Sequence, residues 1–146
     1  MSSIRKPITL YCRGWNAAGQ VKPFRRVLHN CYYSEQGNTI ASRTGVVLNQ
    51  SFFCQIFIAP DYKYIPFAEW DKLPEADYVG KYTVELGATA SFIVPTISEY
   101  EFSWGTLSTI TTLENAWINA NGGKRIASIE DNFRGSADVQ HLSVRC

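Results

Sequence analysis

A mainly β domain is what this sequence predicts: a single small β-barrel or sandwich of about six to nine short, mostly antiparallel strands, with one short α-helix near 111–121. Three observations carry the prediction. Eight Tyr, eight Phe and four Trp bring the aromatic content to 14%, and flat rings and β-branched side chains suit a pleated surface better than a helix. Short apolar runs alternate with Gly, Pro and Asn clusters along the chain, which is the rhythm of strands and turns. One segment has plain helical periodicity. With 146 residues the chain can bury one real core but not two. No fixed-period repeat or low-complexity linker divides it, so residues 1–146 are read as one domain.

The elements follow in order. Pro7–Tyr11 reads as an opening strand, and Arg13–Pro23, with two glycines, two alanines and an Asn, as a turn or a flexible loop. Phe24–Tyr33 is a second strand in which Val27, His29, Cys31 and Tyr33 share a face, and Ile40–Val47 and Phe52–Ile58 are two more. The latter presents Phe52, Cys54, Ile56 and Ile58 as one apolar face. Pro60, Pro66 and Pro74 punctuate a loop over 59–77 with a short helical turn near Trp70. Tyr78–Leu86 and Thr89–Val94 read as strands around Gly87-Ala88. Tyr100, Phe102 and Trp104 alternate with Glu99, Glu101 and Ser103, the pattern of a half-buried strand. Thr111 and Glu114 make a capping box. Leu113, Ala116, Trp117 and Ala120 form an apolar stripe, and Gly122-Gly123 ends the helix. Lys124–Ile129 and Val139–Arg145 close the fold as strands.

The charge is small in sum and uneven in place. Residues 1–50 hold seven bases and one acid, a net of +6, whereas residues 51–122 hold three bases and nine acids, a net of −6. Such a polar molecule can attract copies of itself or unlike partners. Loops carry contacts more often than strands do. The candidate interface residues are therefore Arg5, Arg13, Lys22, Arg25 and Arg26 on the basic side, and Asp61, Glu69 and Asp71 on the acidic side. The start of the chain shows no secretory pattern, and the most apolar run, Phe52–Pro60, is too short to cross a bilayer. A protein made in the cytoplasm, without a membrane, is expected.

No motif for catalysis stands out. Glu99 and Glu101 share a strand face, but adjacent carboxylates on an amphipathic strand are commonly just its wet side. His29 and His141 accompany no nucleophile signature. Gly122-Gly123-Lys124-Arg125 follows a helix instead of opening one, the wrong end for phosphate. His29 and Cys31 could share a face as metal ligands do, yet a zinc site needs two more, and only Cys54 and His141 are available at scattered positions. No cofactor, no metal and no enzyme activity are expected. The alternative with most support is a small β-barrel nucleic-acid-binding protein. In it the bases between Arg5 and Arg26, interleaved with Tyr11, Trp15, Phe24, Tyr32 and Tyr33, would meet a strand.

The order of segments resembles an uncharacterised family of phage- and prophage-encoded proteins of the head–tail connector region. The resemblance runs through Ile8-Thr9-Leu10-Tyr11, the Tyr64-x-Pro66-x-x-x-Trp70 loop, Gly80-Lys81-Tyr82-Thr83-Val84-Glu85-Leu86-Gly87 and Ile110-Thr111-Thr112-Leu113. It ends with Ile126–Gly135 followed by His141-Leu142-Ser143-Val144. The sequence departs from the family at Ala88, where an aspartate is usual, and at Leu142, where an aromatic is usual. The resemblance implies a virion structural protein like the β-barrel stopper, or head-closure, proteins. Such a protein would form a ring of copies of itself, a dodecamer being one option, between neighbouring neck proteins on the portal or adaptor side and on the tail side. Non-specific contact with DNA in the channel is a further implication. No catalytic residue carries over.

Overall fold

The computed structural model describes residues 5–42, 45–58, 62–87, 89–133, 135 and 140–146, with the backbone alone described for 35–42 and 45–51. The fold is mainly β, as the aromatic and alternating sequence predicts. Its strands are β1 (Lys6–Trp15), β2 (Val21–Ser42), β3 (Gly45–Phe57), β4 (Lys63–Tyr64), β5 (Lys81–Tyr82), β6 (Phe92–Val94), β7 (Lys124–Arg125), β8 (Ser128–Asn132) and β9 (His141–Arg145). The helices are α1 (Phe67–Trp70) and α2 (Leu107–Asn121), with a 3-10 turn over Glu75–Tyr78.

Seven strands make one antiparallel sheet in the order β7-β6-β1-β2-β3-β9-β8, and β4 and β5 pair in parallel beside it. The two edge strands of the large sheet are neighbours in sequence, separated by Ile126 and Ala127 alone. At that joint Ile126 N–H donates to Ser91 O (2.9 Å) and Ala127 N–H to Arg145 O (2.7 Å). One bent strand thus serves both edges, and the sheet curls into a barrel-like shape.

The barrel interior is filled from alternate positions: Ile8, Leu10 and Cys12 of β1, Phe52, Cys54 and Ile56 of β3, and Leu142 and Val144 of β9. Trp70, Tyr78, Tyr82 and Val84, from the segment between β4 and β6, complete this core. Gly14 lets that segment approach, because a Cβ there would run into the rings of Phe24 and Tyr78. The opposite face of β1 is also buried. Tyr11 stacks on Phe92 (4.9 Å) and meets Phe102 and Trp117 edge-on, so α2 and the strap before it cover the outside of the barrel.

Several expected elements differ. The turn or loop expected over 13–23 narrows to a turn over 16–20 closed by Asn16 and Gln20, because β1 and β2 pair from Trp15↔Val21 onward. The second strand does not keep the face Val27, His29, Cys31, Tyr33. The register slips between Lys6↔Cys31 and Ile8↔Leu28, and this bulge puts Leu28 and Cys31 together in the core while His29 is exposed. Of the strand expected over Ile40–Val47, residues 40–42 belong to β2 and 45–47 to β3, paired from Ile40↔Val47 to Ser42↔Gly45, and residues 43 and 44 lie outside the described residues. Ile58 is half exposed although Phe52, Cys54 and Ile56 are buried. Tyr78–Leu86 and Thr89–Val94 shorten to β5 and β6. Val139 lies outside the described residues, as do Pro60 and Ala88.

Residues 97–104 do not form a strand. Their backbone is held by side chains of β1 instead: Ser98 N–H donates to Thr9 Oγ1 (2.7 Å), Thr9 donates to Thr96 O (2.8 Å), and Tyr11 donates to Tyr100 O (2.7 Å). The alternation survives only as burial, with Phe102 inside and Tyr100 about half exposed. Helix α2 begins a turn before the expected start, capped by Thr106, whose Oγ1 accepts from Thr109 N–H. It ends at Gly122 in the left-handed region (φ 70°), as the double glycine predicts. The expected stripe is not the buried face, since Leu113 is 48% exposed. Ile110 and Glu114 are buried, and Trp117 and Ile118 pack half-buried on the outer cluster.

Candidate functional site

The basic residues singled out in the sequence separate into distinct environments. Arg13 lies inside, 3% exposed, where its guanidinium forks onto Glu114, itself 1% exposed. Nε reaches Oε2 at 3.0 Å, Nη2 bonds Oε1, and Nη2 also donates to Thr111 Oγ1 at 2.9 Å. Arg125 adds a second contact to Glu114 Oε1 at 3.2 Å and donates to Asn115 Oδ1 at 2.9 Å. Arg13 therefore ties α2 to the barrel wall, and the expectation that it faces a partner is corrected. Sequence reasoning missed this pair because Glu114 reads as the N3 acid of a capping box. Only the placement of Arg13 on a doubly buried strand reveals its other role.

Arg25 and Arg26 are half-buried and hold backbone. Arg25 Nε donates to Ser98 O, and Arg26 donates to Lys81 O (2.7 Å) and Tyr78 O (2.9 Å) while lying over the rings of Phe24 and Tyr62. Arg5 is exposed and stacks on Phe57, its guanidinium carbon 3.4 Å from the ring centroid. Lys22 lies between Phe24 and Trp104 (5.4 and 5.8 Å). Glu69 and Asp71 are exposed at the end of α1. Asp61 lies outside the described residues. The structure does not gather the seven described positions into one site.

Two concavities lie near them. A cleft of about 430 Å³ opens between β3 and β4, lined mainly by Phe57, Tyr62, Tyr64, Tyr82 and Phe133. A shallower groove of about 600 Å³ runs past Arg25, Val27, His29, Tyr62 and Ile97. The first is apolar and aromatic, suited to a side chain or a flat ring. Neither gathers a nucleophile with a base.

The thiols of Cys12, Cys54 and Cys146 are held in their neutral forms. Burial pushes the Cys12 thiol up to about 11 and that of Cys146 to about 12, and a hydrogen bond to Cys31 together with burial raises Cys54. A protonated, enclosed thiol is a poor nucleophile and a poor metal ligand. Among the described residues no group of three or more His, Cys, Asp or Glu could hold a metal ion, and no helix is long and apolar enough to cross a membrane. Glu99 and Glu101 are both exposed.

The most distinctive feature is the hairpin. Beyond Cys31, the last β2 residue paired with β1, and beyond Phe52, whose carbonyl accepts from Cys146 N–H, the strands β2 and β3 continue together. Seven register pairs, from Gln36↔Ser51 to Ser42↔Gly45, have no third strand among the described residues. At about 3.4 Å per residue this arm runs on for roughly 20 Å past the barrel. The molecule is thus a curled antiparallel β domain with an outer helix and a two-stranded arm. No protein-family model matches the chain, and no curated protein or solved structure is significantly similar to it.

Proposed function

We propose that this chain is a non-enzymatic structural subunit of a tailed-phage particle, a neck component of the stopper or head-completion type. Copies of it assemble into a ring joining the portal or adaptor to the tail, at the head–tail junction. The observation that carries the assembly half of this reading is the arm: a two-stranded ribbon is marginal in water by itself, and its open edges call for a partner. The phage half rests on the resemblance of the segment order to connector-region proteins. The nucleic-acid reading loses support, since Arg13 is sealed against Glu114 and Arg25 and Arg26 are committed to carbonyl groups.

Localisation tests the proposal. Mass spectrometry of purified virions of a phage that encodes this chain should find it in far fewer copies than the capsid protein. Gold-labelled antibody should mark the neck. A virion preparation lacking the chain would end the neck reading, and salt-sensitive binding of single-stranded oligonucleotides would favour the barrel that binds nucleic acid.

A further inference from the structure

We propose that the arm is the self-association element of this protein, and that its partner is the arm of a second copy, paired edge to edge. In a ring this places β3 of one copy against β2 of the next, antiparallel, so that hairpins join into one continuous sheet. The inference deepens the assembly reading above and rests on it in one respect, that copies of the chain associate.

Three observations support it. First, along the seven pairs both strands carry an outward row of backbone N–H and C=O groups that no other described strand takes up. Second, the arm lacks the devices that keep edges apart. Residues 36–51 contain one charged residue, Arg43, and no proline, and the register runs from Cys31↔Ile56 to Ser42↔Gly45 without a slip. Natural edges are blunted by lysines, prolines or bulges. Like charges facing each other across neighbouring arms would repel, and this arm brings one charge per copy. Third, the choice of partner is narrow. The body's other strand edges are short or blunted: β7 and β8 span two and five residues, β4 and β5 two each, and β2 over residues 22–30, paired with β1 alone, carries Lys22, Pro23, Arg25, Arg26 and the bulge. A second copy therefore presents one described β edge that is both long and free of such devices, the same arm.

The test shortens the arm. Residues 38–49 are replaced by Asn-Gly, a two-residue turn that suits a hairpin, joining Gly37 to Gln50. Native mass spectrometry across a concentration series should show the full chain associating and the shortened chain at least tenfold weaker, with unchanged circular dichroism and Tm. In a mixing experiment, affinity-tagged shortened chain should fail to retain the full chain, whereas tagged full chain retains it. Equal retention by the shortened chain would mean that the arm docks on a neighbour's body, and would overturn the proposal. So would association of the shortened chain at full-chain strength, or a full chain that stays monomeric into the millimolar range. Hydrogen exchange on the unaltered protein gives an independent reading. Amides of residues 36–51 should slow as association proceeds, and fast exchange in the associated state would overturn the arm pairing. Virion localisation judges the neck reading separately, so the two can fail one without the other.

Discussion

Arg13 and Glu114 illustrate how little a side chain's type says about its place. Each is nearly absent from water, and removing one leaves the other an uncompensated buried charge. Glu114→Leu should cost about 3–5 kcal/mol in urea denaturation. The double variant Arg13→Met, Glu114→Leu should cost clearly less than the two single changes added together, because no charge of the pair is stranded. Glu85 poses the opposite case. Its Oε1 is buried with no hydrogen-bond partner among the described residues, and its other oxygen accepts from Thr89. Burial raises its carboxyl above the ordinary range, against the lowering influence of Thr89 and Arg13. The folded state therefore binds this proton more tightly than the unfolded chain does. Stability falls as the pH rises from the ordinary carboxylate value through the raised one, and below both the cost is absent. Glu85→Gln should raise Tm at about pH 8 and lose that advantage near pH 4, as thermal scans at the two pH values would show.

At the scale of elements, α2 shows what periodicity can and cannot deliver. The helix and its glycine stop were legible, because Gly122 adopts the left-handed turn that few other residues tolerate. The buried face was not, because a glutamate sits in its middle and a count of apolar positions passes over it. Trp117 is held by Tyr11, Tyr100 and Phe102, so Trp117→Ala should cost about 3 kcal/mol. Leu113→Ser, at the exposed end of the expected stripe, should stay within about 0.5 kcal/mol of the parent; denaturant titration separates the two. The strands β1 and β9 were legible as short apolar segments, and the part of β3 from Phe52 onward from its alternation. The strap over 97–104 alternates just as cleanly, but Thr9 and Tyr11 satisfy its backbone, and a sequence does not say whether a ladder or a side chain will do so. The bulge near Leu28 was hidden for a similar reason, since it depends on what β1 offers opposite. The candidate contact residues were the least legible of all. Net charge along a segment says nothing of which guanidinium finds a carbonyl.

For the whole molecule, the curled sheet and the arm divide the work. The barrel holds the core, and shortening the arm should leave its stability untouched. Closing the barrel by one bent strand has a consequence in time. The strands β1, β2 and β3 can pair early, yet β3 gains its second neighbour, β9, only from residues 141–145, and the bent strand that spans both edges lies at 124–132. A nascent chain emerging from the ribosome therefore carries an unsealed sheet, with Phe52, Cys54 and Ile56 uncovered, until residues 141–145 have been synthesised. A chain stopped after Asn132 should bind a hydrophobic dye and precipitate on release, whereas one that reaches Cys146 should not. The interval before release is then the period in which this protein most needs a chaperone.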